Sequence, residues 1–169
     1  CNYNMMSFSG SGERVRPGGS RRSKEISMIT EIALSPVLDL NDFPGTVVDV
    51  FIEILQSDAG TRCAGICAAA LALADAGFNM KDLVSAVSVG RVDDKLVVDL
   101  DKEEEDYEIE REVADVPVAM MPRSGKVTLL QMDGICSKEQ LTKLMEIAKE
   151  ACKKIYEVQK KALMEKYKI

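Results

Sequence analysis

A mixed α/β (α+β) fold, with helices packed on a mixed sheet, follows from three features of this chain. Residues 46–56 alternate, placing Val48, Val50, Ile52 and Ile54 on one face of a strand. Residues 61–76 form a helix of Ala, Cys and Leu, and residues 137–158 carry apolar side chains at helical spacing. Between those two helices the apolar runs are short and separated by turn residues, the pattern of antiparallel hairpins.

The elements read in order as follows. Residues 1–8 are extended and residues 9–22 are a Gly/Ser/Arg loop. Ile26, Ile29, Ala33 and Val37 predict a helix over about 23–35, with Pro36 and Pro44 bracketing its end. The strand over 46–56 follows, with Asp49 and Glu53 on its less apolar face. The helix over 61–76 has Gly77 as its C-cap, and its small side chains predict close burial. Residues 83–89 and 95–100 form a hairpin about Asp93-Asp94. The acidic run over 99–115 reads as a loop. Strands over 116–121 and 127–132 flank the turn Pro122-Arg123-Ser124-Gly125. Ser137 and Gln140 make a capping box for the last helix. Leu141, Leu144, Met145, Ala148, Ala151, Ile155 and Val158 face the sheet, and residues 160–168 form a basic end extending past the core. No internal repeat or long linker divides the chain, so residues 1–169 read as one domain, with a C-terminal helix over 137–168.

The chain has 169 residues and a net charge of −6, so the molecule as a whole does not attract nucleic acid. Any contact with RNA would have to come from local basic patches, residues 14–22 above all, or from a partner subunit. There is no histidine, which removes the commonest general base and leaves acid–base work to carboxylates. Five cysteines, at positions 1, 63, 67, 136 and 152, show no paired pattern. Free thiols fit a reducing cytoplasm. No signal peptide or run of membrane-spanning length is present, so no membrane partner is expected.

Candidate functional residues fall in three places. Asp58-Ala59-Gly60-Thr61-Arg62 joins a strand to a helix, combining a tight turn, a hydroxyl, a guanidinium and the free N–H groups of a helix start. Such a constellation suits a phosphate group. Pro17-Gly18-Gly19-Ser20-Arg21-Arg22-Ser23 is a second basic turn entering a helix. The acidic run supplies carboxylates. Two arginine sites and a carboxylate cluster suggest phosphoryl chemistry on a polyanion.

Five segments together resemble the RNase PH family: Tyr3-Asn4-Met5, Arg21-Arg22-Ser23-Lys24-Glu25-Ile26, Leu55-Gln56-Ser57-Asp58-Ala59-Gly60-Thr61-Arg62, Ala72-Leu73-Ala74-Asp75-Ala76-Gly77 and Leu130-Gln131-Met132-Asp133-Gly134. Within that family the chain looks most like the catalytic ring subunit of the archaeal exosome. The resemblance implies a βαβα fold related to a ribosomal-protein domain. It also implies that about the first third of the family's chain is missing here, leaving strand edges that a further portion or a separate chain completes. The implied activity is phosphate-dependent 3′→5′ exoribonuclease action, releasing nucleoside diphosphates and reversible as 3′ addition. The implied partners are RNA, an RNase PH-like paralogue in a hexameric ring, and RNA-binding cap subunits.

By the same resemblance Gly60, Thr61, Arg62 and Cys63 match the turn that holds phosphate. Arg22 matches a phosphate- or RNA-contacting arginine and Arg21 an RNA-contacting one. Asp106 and Asp115 match the catalytic pair that supplies the general acid and binds Mg²⁺. The spacing between those aspartates is longer than the family pattern, and Glu105 and Glu112 are alternative occupants of a catalytic position. Two other readings fit the same residues: an inactive ring subunit acting as scaffold and RNA guide, and a bacterial-type RNase PH trimming tRNA 3′ ends.

Overall fold

A computed structural model describes residues 1–10, 14, 16, 19–107 and 113–168. A five-stranded sheet lies at its centre, with strand order β4-β3-β5-β6 and β7 also on β5. The strands are β3 (Ser85–Val92), β4 (Lys95–Val98), β5 (Val113–Met121), β6 (Lys126–Leu130) and β7 (Asp133–Gly134). All of these pairings are antiparallel.

Alternation along the strands sends side chains to two cores. Val84, Ala86, Ala119, Met121 and Leu129 join one core with helices α1 (Arg21–Leu34) and α2 (Thr61–Asp75) and strands β1 (Asn2–Met5) and β2 (Phe51–Ile54). Val87, Val89, Val116, Val118 and Met120 join the other with α4 (Lys138–Tyr167). Each large apolar side chain buried in this way contributes about 1.5–3 kcal/mol.

Helix α1 starts two residues earlier than its apolar spacing predicts. The cause is Ser20, whose side chain accepts the Ser23 N–H at 3.0 Å and caps the first turn. Arg21 and Arg22 therefore lie on the helix, both exposed.

Strand β2 is shorter than expected. It pairs in parallel with β1 from Asn2↔Phe51 to Met5↔Ile54, and its ladder ends where that four-residue partner ends. The alternation itself holds: Ile52 and Ile54 are buried, while Phe51, Glu53 and Asp49 are exposed. Helix α2 lies close against this strand. A Cβ on Gly65 would come within 3.1 Å of Ile52 Cγ2. At the other end of α2, Ala76 occupies the cap position and Gly77 follows it in the left-handed region at φ +88°. The predicted cap glycine thus sits one position beyond the observed cap.

The acidic run is not one loop. Asp101 caps a short helix, α3 (Lys102–Glu105), through a capping box with Glu104. Asp115 lies within β5, because Val113 to Met120 pair with β3 without interruption. The stretch 108–112, with Glu112, lies outside the described residues, as do Pro17 and Gly18.

The capping box of Ser137 and Gln140 opens α4, as its sequence predicts. Leu144, Ala148 and Cys152 are buried on the sheet, but Val158 is 69% exposed. Gln159 takes the inward position instead. It donates to the Cys67 and Val84 carbonyls at 3.1 and 3.3 Å and accepts from Ser85 Oγ at 2.8 Å. The basic end of α4 is tied back onto the fold: Lys166 Nζ lies 2.7 Å from Asp75 Oδ2, and Tyr167 donates to the Asp75 carbonyl at 3.0 Å. Among the described residues no helix is long and apolar enough to cross a membrane.

Gly90 on β3 faces Asp115 on β5. A Cβ at Gly90 would meet the Ala114 carbonyl oxygen at 2.2 Å and Leu100 Cδ1 at 2.8 Å. Backbone cannot swing aside as a side chain can. Gly90→Ala should therefore destabilise the fold by about 1–3 kcal/mol, toward the upper end. The measurement is the midpoint of denaturant unfolding, and an unchanged midpoint would refute this account of the strand pair.

Candidate active site

The turn before α2 is built by two successive left-handed residues, Ala59 at φ +57° and Gly60 at φ +55°. Ala59 bears a cost of about 1–2 kcal/mol in that region, and its neighbours hold it there. Ser57 N–H donates to the Ser9 carbonyl at 2.7 Å, and Asp58 Oδ1 accepts the Lys102 N–H at 3.1 Å. The second bond ties the turn to the start of α3.

Residues 60–63 then point in different directions. Thr61 is buried, and its hydroxyl oxygen accepts from Tyr3 Oη at 2.7 Å, joining α2 to β1. Cys63 is buried in the core. Gly60 and Cys63 border an apolar groove between α2 and α4, on a different side from Arg62. Arg62 alone of the four reaches a cleft of about 460 Å³.

That cleft gathers side chains from five elements. Arg22 comes from α1, Arg62 from α2, Lys102 and Glu105 from α3, with Asp106 just after it, Asp115 from β5 and Asp133 from β7. Three cationic side chains thus share it with four carboxylates. Asp115 enters because it has the same strand parity as Ala119 and Met121, which face the α1/α2 core. Arg21 does not border the cleft and points to solvent.

Several of these charges have direct partners. Arg62 Nη1 donates to Gln131 Oε1 and lies 3.6 Å from Glu25 Oε1. Gln131 Nε2 donates to the same Glu25 oxygen at 3.0 Å. Asp115 Oδ1 accepts the Ser88 hydroxyl. Asp106 Oδ1 pairs with Lys102 Nζ at 2.6 Å, one helical turn away. Glu105 is held differently. Burial raises its carboxyl above the ordinary value, and the Asp115 carboxylate adds to the rise. Lys102 and Arg22 oppose it. The cleft therefore holds carboxylates in contrasting surroundings, the condition under which acid and base roles separate.

The thiols stand apart from this chemistry. All five cysteines are free. Burial pushes Cys63 and Cys67 upward and Cys152 up to about 12, so these three stay protonated at neutral pH.

Sequence reasoning did not single out Glu25, Ser88, Lys102, Gln131 or Asp133 as site residues. Glu25 and Gln131 did carry a signal, since both stand inside the segments that resemble the RNase PH family. Ser88 and Lys102 carried none, because their roles depend on strand register and on a helix hidden in an acidic run.

Comparison with known proteins gives three results. Residues 1–79 match the description "3′ exoribonuclease family, domain 1" and residues 82–151 match "3′ exoribonuclease family, domain 2". The chain is 53% identical over 165 residues to the exosome complex component Rrp41 of Thermococcus gammatolerans, covering 98% of this chain and 64% of that protein. It is 50% identical to the Methanopyrus kandleri protein of the same name, covering 98% and 67%, and 47% identical to that of Nitrosopumilus maritimus, covering 98% and 66%. The chain thus spans about 64% of the length of the Thermococcus relative. Among solved structures, rice (Oryza sativa) Rrp46 superposes with a TM-score of 0.78 at 19% identity, covering 96% of this chain and 72% of that one. At that identity the likeness concerns the fold.

The Glu105 environment predicts a titration. Carbon-detected NMR of the glutamate side chains should place its midpoint above that of an exposed glutamate. Asp115→Asn removes the neighbouring negative charge and should lower the midpoint, while Lys102→Ala should raise it. A midpoint unmoved by Asp115→Asn would show that the two carboxylates do not share the cleft.

Proposed function

The chain belongs to the RNase PH family of 3′ exoribonucleases, and from that we propose that it is a phosphate-dependent 3′→5′ exoribonuclease working as a subunit of an exosome ring. One observation carries the proposal: Arg22 and Arg62 share a single cleft with Asp106 and Asp115. A reaction between inorganic phosphate and an RNA phosphodiester brings two anions together. Guanidinium groups that fix both lower the electrostatic and orientational barrier.

In this reading Arg62, with backbone N–H groups of the α2 start, holds inorganic phosphate, and Arg22 holds the terminal phosphodiester. Arg21, exposed on the same helical turn, contacts the RNA chain outside the cleft. A phosphate oxygen attacks the last phosphorus and forms a new P–O bond. The bond from that phosphorus to the 3′ oxygen of the preceding nucleotide breaks. The released nucleotide is a nucleoside 5′-diphosphate, and the shortened RNA takes up a proton at its new 3′ hydroxyl. Run backwards, the same steps add a nucleotide and release phosphate. A carboxyl of the cleft supplies the proton.

The oxygen-only donor set of the cleft fits Mg²⁺. No group of three or more metal-ligating side chains converges among the described residues. Mg²⁺ does not need one, since it is commonly bound by one or two carboxylates together with substrate phosphates. Asp106 and Asp115 would hold it, and the ion would offset negative charge on the substrate oxygens. Asp115 is oriented for this by Ser88, and Asp106 by Lys102.

The partners in this proposal are RNA, an RNase PH-like paralogue in a hexameric ring and RNA-binding cap subunits, in the cytoplasm. The net charge of −6 supports a shared RNA path, because this chain brings only local positive charge to it.

The test is decay of a 3′-tailed RNA by the protein, alone and with its ring partner, in Mg²⁺ with and without inorganic phosphate. Nucleoside diphosphates should appear only with phosphate. Arg62→Ala should lower the rate by about 10²- to 10³-fold with unchanged thermal melting. Asp115→Asn should retain RNA binding and lose turnover. Decay that proceeds equally without phosphate, or equally in Arg62→Ala, would overturn the assignment. Intact RNA binding with no products in any setting would make the chain a scaffold and RNA guide.

A further inference from the structure

Behind Arg62 runs a hydrogen-bonded chain whose other two members, Gln131 and Glu25, the reaction above does not use. Glu25 on α1, Gln131 just after β6 and Arg62 on α2 meet there, brought together across 69 and 106 residues of sequence. Arg62 Nη1 donates to Gln131 Oε1, Gln131 Nε2 donates to Glu25 Oε1 at 3.0 Å, and the Glu25 oxygen lies 3.6 Å from Arg62 Nη1.

The order of donors and acceptors in this chain follows from chemistry. An amide offers an acceptor at one end and donors at the other, whereas an ionised carboxylate only accepts. Glu25 therefore draws the NH₂ end of Gln131 and leaves the oxygen for Arg62. A reversed amide would set oxygen against carboxylate and NH₂ against guanidinium, unfavourable at both ends. The Arg62 side chain is 21% exposed and that of Glu25 39%, so the chain runs from solvent into the half-buried wall of the cleft.

Resting on the phosphorolytic reading, we infer that Gln131 is a positioning residue for Arg62, with its amide orientation set by Glu25. One Nη1 hydrogen is committed to Gln131, and the other N–H groups of the guanidinium are left for inorganic phosphate. A long side chain held in advance does not lose its rotamer freedom when the anion binds. The effect belongs to phosphate affinity, and the RNA end and the chemical step are outside it.

The experiment titrates inorganic phosphate into RNA decay by the assembled complex at saturating RNA. Gln131→Met keeps the approximate volume and removes the acceptor. It should raise the KM for phosphate five- to tenfold, with kcat within twofold and the KM for RNA unchanged. Glu25→Gln should raise the phosphate KM about threefold, even though losing a negative charge beside Arg62 would by itself lower it. In the Gln131→Met background Glu25→Gln should no longer raise it, because Glu25 acts through Gln131. Gln131→Ala is the second variant where the methionine is not accommodated, and thermal melting identifies any variant that fails to fold. A fall in kcat at unchanged phosphate KM, a lower KM in Glu25→Gln, or equal effects of Glu25→Gln in both backgrounds would overturn the positioning role. Wild-type decay indifferent to phosphate would instead overturn the phosphorolytic reading. Phosphate-dependent wild-type decay with an unaltered KM in Gln131→Met would overturn the positioning role alone.

Discussion

Eight consecutive pairings between β3 and β5, from Ser85↔Met120 to Val92↔Val113, are the constraint on which the other elements depend. Because side chains alternate along both strands, one set of residues faces α1 and α2 and the other faces α4. A slip of one residue would exchange those sets and turn Asp115 away from the arginines. The register is protected by close contact as well as by burial. Gly90 and Gly134 approach the opposing backbone so nearly that a Cβ on either would lie 2.2 Å from a carbonyl oxygen of β5. Gly134 also has φ +90°, which only glycine adopts without strain. Both glycines flank the strand segment that carries Asp115.

On the phosphorolytic reading the cleft must solve a general problem, which is how a chain with net charge −6 can receive an anion. Its charges are separated by element. Arg22 and Arg62 come from the first turns of two helices, while the carboxylates come from α3 and its C-terminal end, β5 and β7. Neighbouring groups moderate each pole. Lys102 accompanies Asp106, Ser88 donates to Asp115, and Glu25 with Gln131 accompanies Arg62. Apart from the Lys102–Asp106 pair, charges of both signs then face one space of about 460 Å³.

Much of the fold was legible in the sequence because it rests on local signals. The capping box at Ser137, the apolar spacing of α1 and the small-residue run of α2 each specify a helix without reference to distant residues. What escaped depends on distant partners. The length of β2 is set by β1, and a strand pattern does not reveal how much partner it will find. Gln159 is polar and stands outside the apolar face that the spacing predicts, yet the Cys67 carbonyl of α2, the Val84 carbonyl and the Ser85 hydroxyl receive it in the core. The acidic run concealed both a helix and the start of a strand, since residues rich in carboxylates look like a solvated loop wherever they fold. In the site itself, Arg22, Arg62, Asp106 and Asp115 were named from sequence and lie on one cleft. Glu25 and Gln131 stand inside the family-like segments but were not singled out, because the proposed positioning role is a relation among three residues and cannot be read from either segment alone.

Helix α2 links these levels. Its first turn carries Arg62 to the cleft while the residues on either side, Thr61 and Cys63, are buried. Tyr3 fixes the Thr61 hydroxyl, Gly65 lets the helix lie close to Ile52, and Cys67 Sγ accepts the Ala86 N–H at 3.1 Å. A guanidinium on a mobile loop would have to be ordered each time an anion arrived. Here the backbone beneath it is packed on β1, β2 and β3 before any ligand binds, and only the long side chain remains to be held. On the proposed positioning role, that remaining freedom is what Gln131 restrains. The burial that keeps the α2 thiols protonated is thus the same packing that gives Arg62 a fixed base, and core and cleft are two faces of one helix.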